Sequence, residues 1–152
     1  MTTSARIDPR GQRFAATLTV LLLAVALVAA PSALTQGLLA FQLVVFAIGV
    51  GLGPARTPYA WVFRTFLRPR LGAPTETEDA TPPRFAQGVG LGFTVVALIG
   101  YVVGLPLLGG IAAGMALAAA FLNAAFGFCL GCEMYLLLTR ARNRRTRVLT
   151  IN

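Results

Sequence analysis

The sequence predicts an all-α integral membrane protein: a four-helix transmembrane bundle of two antiparallel hairpins, with a short interfacial amphipathic helix between the second and third spans. Three observations predict it: four long apolar runs, very little charge, and basic residues confined to three segments that flank the runs. Of the 152 residues, 57% are hydrophobic and 12% charged, whereas a soluble domain carries about 25% charged residues. Lipid makes such a composition sensible, because it solvates apolar side chains on the outside of a helix.

Residues 1–13 form a polar, basic, cytoplasmic amino-terminal segment. Asp8-Pro9 predicts a helix start, since Asp caps and Pro suits the first turn. The first span is placed at 14–31, where Phe14 to Ala30 are uncharged. Arg6, Arg10 and Arg13 ahead of it imitate a secretory leader. Pro31, just after the small residues Ala29 and Ala30, disfavours cleavage, so a retained first helix is expected. The second span, 33–53, follows Pro31-Ser32 at once, which requires an antiparallel pair.

Residues 54–84 are the one long connection. Tyr59, Trp61, Phe63 and Phe66 are mixed with Arg56, Arg64 and Arg68, which suits a helix anchored in the headgroup layer. The acidic, proline-rich stretch 73–83 reads as a solvated linker. The third span is placed at 85–105, with Pro106 and Gly109-Gly110 marking the turn. A fourth apolar run continues from Ile111 to Leu138, longer than one straight span requires. Its membrane part is placed at 110–131. That puts Glu133 at the inner headgroups, because a carboxylate at mid-membrane costs about 2.5–3.5 kcal/mol. Residues 139–152 complete the chain as a basic tail, so the transmembrane domain occupies 14–138.

All 13 basic residues are arginine, and there is no histidine. They fall in the amino-terminal segment, the 54–84 loop and the tail, and the turns near Pro31 and Pro106 have none. Four spans place those three segments on one side, which the positive-inside rule makes cytoplasmic. The formal charge of +8 therefore serves topology and anionic lipid, and no nucleic acid is expected as a partner. Asp8-Pro9-Arg10 before the first hairpin and Pro82-Pro83-Arg84 before the second hint at a repeat. Arg13-Phe14-Ala15 likewise resembles Arg84-Phe85-Ala86, which would relate the hairpins by an axis along the membrane normal. Gly100-x-x-x-Gly104 and Gly110-x-x-x-Gly114 predict close helix packing, within one chain or between copies in a homo-oligomer.

Without histidine there is no imidazole acid, base or metal ligand. Gln36, Gln42, Gln87, Thr94 and Asn123 are polar residues in the spans that tie helices together. The absence of mid-membrane charge argues against ion coupling. Chemistry then centres on Cys129 and Cys132, the chain's two cysteines, placed at the inner end of the last helix. At i and i+3 they share a helix face, and a disulfide, a shared metal and a persulfide relay are all geometrically open. A helix amino terminus lowers a thiol pKa, but a pair that follows a long helix lacks that help unless Gly127 or Gly131 breaks and restarts it. Glu133 raises a nearby thiol pKa, and Arg140 and Arg142 oppose it. A pair facing the cytoplasm rests as a dithiol. Two thiolates are too few for zinc, and no cofactor or resident metal is expected.

The combination of Asp8-Pro9-Arg10, Pro83-Arg84-Phe85-Ala86-Gln87 and Gly127-Phe128-Cys129-Leu130-Gly131-Cys132-Glu133 resembles the bacterial family called domain of unknown function 4395. The resemblance runs from about Ile7 to Arg140. It implies a small multi-spanning protein of the bacterial inner membrane, frequent in actinobacteria, with a thioredoxin-like or sulfurtransferase protein as a neighbour. The reading that follows is a thiol-redox or sulfur-relay role, with Cys129 attacking and Cys132 resolving. Two rivals are a non-enzymatic assembly or scaffold subunit, with the cysteines as packing residues, and a small-solute channel or transporter.

Overall fold

The structure, a computed structural model, describes residues 6–150, with side chains as far as Asn143. Expectations for residues 1–5 and 151–152, and for the side chains of Arg144, Arg145 and Arg147, lie outside the described residues.

A two-residue strand, β1 (Arg6–Ile7), precedes helix α1 (Pro9–Val28). As expected, Asp8 caps α1, its carboxylate accepting from the Arg10 N–H, and Pro9 fills the first turn. Helix α2 (Ala33–Gly51) starts at Ser32, whose hydroxyl accepts from the Thr35 N–H. A 3-10 turn (Pro54–Arg56), helix α3 (Pro58–Val62), a π-helical turn (Phe63–Leu67) and helix α4 (Arg68–Leu71) follow. Strand β2 (Glu78–Asp79) pairs antiparallel with β1, so the acidic linker is tied to the amino-terminal segment. Helix α5 (Thr81–Val102) starts ahead of the expected Phe85, because Pro82 and Pro83 fit a first turn that needs no N–H. Helix α6 (Pro106–Phe126) starts at Pro106, and the turn before it is made by Gly104 at φ 79°. Gly109 and Gly110 therefore lie inside α6 and not in the turn. A separate helix, α7 (Leu130–Thr150), ends the described chain.

Helices α1, α2, α5 and α6 are long and apolar enough to cross a membrane, which implies a lipid environment. Each packs on two others: α1 on α2 and α6, and α5 on α2 and α6. Side-chain placement is the reverse of a water-soluble bundle. Gln42 is 0% exposed and Thr35 and Thr94 are 1%, while Val28 is 89% and Leu107 77% exposed. Apolar surface of that kind is stable where the surrounding solvent is hydrocarbon. Inside, Tyr59 donates from its hydroxyl to Gln42 Oε1 at 2.8 Å, and Gln42 Nε2 donates to Thr19 Oγ1 at 3.5 Å. These bonds answer the demand that polar groups in a membrane bundle find partners. The half of the bundle near the Pro31 and Pro106 turns is filled by Leu23, Leu39, Ala97, Tyr101, Ala112 and Ala113.

Glycine spacing predicted close approach, and one crossing shows it. A Cβ on Gly100 would lie 2.7 Å from the Gly109 nitrogen, and one on Gly109 would lie 2.8 Å from the Tyr101 ring. Gly114, by contrast, has nothing within 4 Å.

The arginines act on helix ends. Arg84, at the start of α5, donates to the Val50 and Gly51 carbonyls that close α2 at 2.5 and 2.8 Å. Arg13, at the start of α1, reaches the Ala124 and Ala125 carbonyls that close α6 at 3.4 and 3.5 Å. Cationic groups at these carbonyls satisfy orphan acceptors and the negative end of the helix dipole. Arg13 and Arg84 are the arginines of the two Arg-Phe-Ala triplets, so each half of the chain caps the other in the same way. The neighbouring phenylalanines follow suit: Phe14 packs on Phe63 after α2, with ring centroids 5.8 Å apart, and Phe85 packs on Tyr135 after α6 at 5.7 Å.

Candidate functional site

The cysteine pair does not follow a continuous helix. A fourth helix running on to Leu138, with the pair at its end, is corrected by the break at Gly127, which adopts φ 67°. Glycine takes this left-handed conformation without a Cβ penalty. The Gly127 N–H bonds to the Asn123 carbonyl at 3.0 Å and the Phe128 N–H to the Leu122 carbonyl at 3.3 Å, closing α6. Helix then resumes, its first bond running from the Glu133 N–H to the Cys129 carbonyl at 3.0 Å. Cys129 is thus the cap residue of α7 and Cys132 lies in its first turn. The pair sits at a helix amino terminus, the position that favours a thiolate.

The local bonds reinforce this. Cys129 Sγ accepts from the Cys132 thiol and from the N–H groups of Cys132 and Gly131. The thiol bond from Cys132 lowers the Cys129 pKa most, and the two N–H bonds add to it. Burial and the charge of Glu78 oppose them, and the outcome is a value lowered to about 7. The Cys132 thiol moves the other way, far above the ordinary range, because it donates to Cys129 and is partly buried, with Glu78 and Glu133 adding to the rise. One sulfur is set to ionise and its neighbour to keep its proton. Both are free and half-buried. Glu78 stands more than fifty residues away along the chain, just ahead of α5, on which α7 packs.

Gly131, between the cysteines, is buried against α5: a Cβ there would lie 2.5 Å from the Ala86 Cβ. The Phe85–Tyr135 ring contact holds the same junction. The first half of the chain contains a comparable turn. After α2, Gly53 adopts φ 98°, and Thr57 caps α3 by accepting from the Ala60 N–H. Each of the two turns thus pairs a positive-φ glycine with a helix start, at Thr57 and at Cys129. A hydroxyl is an ordinary helix cap, so the fold alone does not require sulfur at this position.

A cavity of about 500 Å³ opens beside the pair. Cys129, Leu130, Gly131 and Met134 border it at one end, and Phe46, Phe93 and Met115 line it deeper in the bundle. Of the aromatic residues expected at the interface, Tyr59 and Phe63 turn inward and line this cavity, while Trp61 and Phe66 are exposed. Burial pushes the Tyr59 hydroxyl up to about 12, so it stays a hydrogen-bond donor. Gln87 and Asn123 also line the cavity, and Gln87 Oε1 is buried without a partner. Among the described residues no cluster of three or more His, Cys, Asp or Glu forms a metal site.

Fold and site together define a class: a small helical membrane protein whose fourth long helix is followed by a thiol-capped helix. Residues 7–140 match the family described as Domain of unknown function (DUF4395), and the chain belongs to that family. No curated protein and no solved structure matches it.

Proposed function

We propose that this protein exchanges thiol electrons or sulfur through Cys129 and Cys132, working with a soluble thioredoxin-like or sulfurtransferase partner at the cytoplasmic face of a bacterial inner membrane. The observation that carries the reading is the cap. Cys129 opens α7, where helix amides and Cys132 favour its thiolate. A sulfur placed there for packing would need neither a second thiol at i+3 nor the hydrogen bond between the two.

The chemistry balances without a metal. Cys129 thiolate attacks a partner disulfide, forming a mixed disulfide and releasing one partner thiolate. Cys132, after losing its proton, attacks the Cys129 sulfur, and the partner leaves as a dithiol. In the sulfur version Cys129 takes the terminal sulfur from a partner persulfide. Cys132 then closes the disulfide and releases hydrosulfide. In both, the lower-pKa thiol attacks and the protonated one resolves.

The arginine pattern supports the orientation, with two antiparallel hairpins and both termini inside. Trp61 and Phe66, exposed beside Arg64 and Arg68, suit an interfacial anchor between the second and third spans. A channel is less favoured, because the half of the bundle beyond the cavity is filled by the Leu23–Leu39–Tyr101 core.

Trapping tests the reading. Purified Cys132→Ser protein mixed with oxidised thioredoxin should accumulate a mixed disulfide through Cys129, and Cys129→Ser protein should form none. If neither variant nor the wild type reacts with a small disulfide or a persulfide donor, the proposal fails.

A further inference from the structure

We infer that the cavity beside Cys129 binds a lipid-soluble quinone, which takes two electrons from the Cys129–Cys132 dithiol. This rests on the redox reading above and names the second reactant. Four observations carry it. The redox pair borders the cavity itself, through Cys129 and Gly131. The cavity runs inward from the Ala86 level to Phe93, about 10 Å at 1.5 Å per residue, so it penetrates a bundle surrounded by lipid. Its volume of about 500 Å³ suits a ring-sized organic ligand, since such sites range over about 300–1,000 Å³. Its lining pairs flat apolar surfaces, Phe46 and Phe93, with the amides Gln87 and Asn123.

The amides matter because the ligand must be held in both oxidation states. An amide N–H donates to a quinone carbonyl, and an amide oxygen accepts from a hydroquinone hydroxyl. Gln87 Oε1 is buried with no partner against Gly49 of α2, so its amide must turn to meet a ligand, and the half-buried Asn123 makes no hydrogen bond through its side chain to any described residue. A buried oxygen such as that of Gln87 is costly unless something else satisfies it. A fatty acyl chain would also fill the volume, but it could not accept electrons from the pair.

The step is balanced. Two S–H bonds break and one S–S bond forms. The two electrons and two protons go to the quinone oxygens, giving a hydroquinone that leaves into the lipid. Cys129 is the nearer sulfur, and Cys132 closes the disulfide. The partner exchange described above then runs in reverse: a reduced thioredoxin-like partner gives two electrons and two protons, leaves as a disulfide, and the pair returns to its dithiol form.

The test uses the full chain, reduced and reconstituted in lipid nanodiscs without oxygen, with 2-methyl-1,4-naphthoquinone and a short-chain ubiquinone as probes. Hydroquinone is followed by absorbance and cysteine state by alkylation mass. The expected result is one hydroquinone per disulfide, with a rate that saturates in quinone. Filling the cavity with Ala119→Phe, or separately with Met115→Trp, should slow the reaction at least tenfold. A redox-inert ring analogue should compete in the wild type, which keeps the test decisive if a variant misfolds. Oxidation of the pair by a soluble disulfide, with no hydroquinone formed from either quinone, would overturn this inference and leave the thiol-exchange reading standing. Non-saturating reduction that the analogue leaves unchanged would overturn it too. A pair inert to every oxidant would remove both.

Discussion

At the scale of single residues, the account turns on one sulfur that ionises early. With its pKa lowered from 9.0 to about 7, Cys129 should be alkylated at a rate that inflects near pH 7. Cys132→Ser exchanges the thiol donor for a hydroxyl and leaves the Gly131 and residue-132 N–H bonds in place. Its inflection therefore reports how far the sulfur partner matters. Stability carries the same signature. In the dithiol form, folded Cys129 releases its proton near pH 7 while the unfolded chain holds it to the ordinary value. Stability should therefore rise between those two values and fall above them, where the unfolded chain's Cys132 ionises while folded Cys132 keeps its proton. The disulfide form has no such proton and should show no rise, which thermal unfolding in the two states can check. Gly127→Ala should destabilise by roughly 1–2 kcal/mol, the cost of a left-handed non-glycine residue, and should raise the Cys129 pKa if it lets α6 run on. The i, i+3 spacing was legible from sequence, and so was the condition that a break at Gly127 or Gly131 would activate the pair. That Gly127 makes the break was not legible, because apolar residues continue to Leu138 and hydropathy does not register a positive φ. Glu78 was hidden for another reason: it stands just ahead of α5, whose packing on α7 no local pattern announces.

At the scale of elements, helix ends were read well where chemistry marks them. Asp8 and Pro9 open α1 as read, whereas Ser32, which caps α2, and Pro106, which opens α6, were read only as breaks. Starts were misplaced where apolar runs alone were used, at Thr81 and Pro106, since a helix extends beyond its apolar part. The glycine patterns were half informative. Spacing could not tell Gly100, which meets the Gly109 backbone, from Gly114, which meets nothing. Gly100→Leu should therefore cost about 1–3 kcal/mol or more by overpacking, while Gly114→Leu should stay within about 0.5 kcal/mol. Thermal stability in detergent separates them. Gly131→Val should push α7 off Ala86 and slow Cys129 exchange with thioredoxin while the four long helices stay folded.

At the scale of the whole molecule, lipid as solvent explains what water cannot: Gln42 enclosed in the centre and Val28 and Leu107 outside. Composition and four apolar runs made this legible at once. The hint of a repeat lay in Asp8-Pro9-Arg10 and Pro82-Pro83-Arg84 and in two Arg-Phe-Ala triplets, and the structure gives the triplets a shared task, since Arg13 closes α6 and Arg84 closes α2. The turns that follow α2 and α6 differ in their helix starts, a hydroxyl at Thr57 and a thiol at Cys129. The most direct measurement labels both cysteines with a membrane-impermeant maleimide in inverted and right-side-out vesicles, with and without oxidised thioredoxin. The account predicts labelling in inverted vesicles alone, lost as a pair once the oxidised partner is added. Labelling from the opposite face, or labelling that no oxidant diminishes, would contradict it.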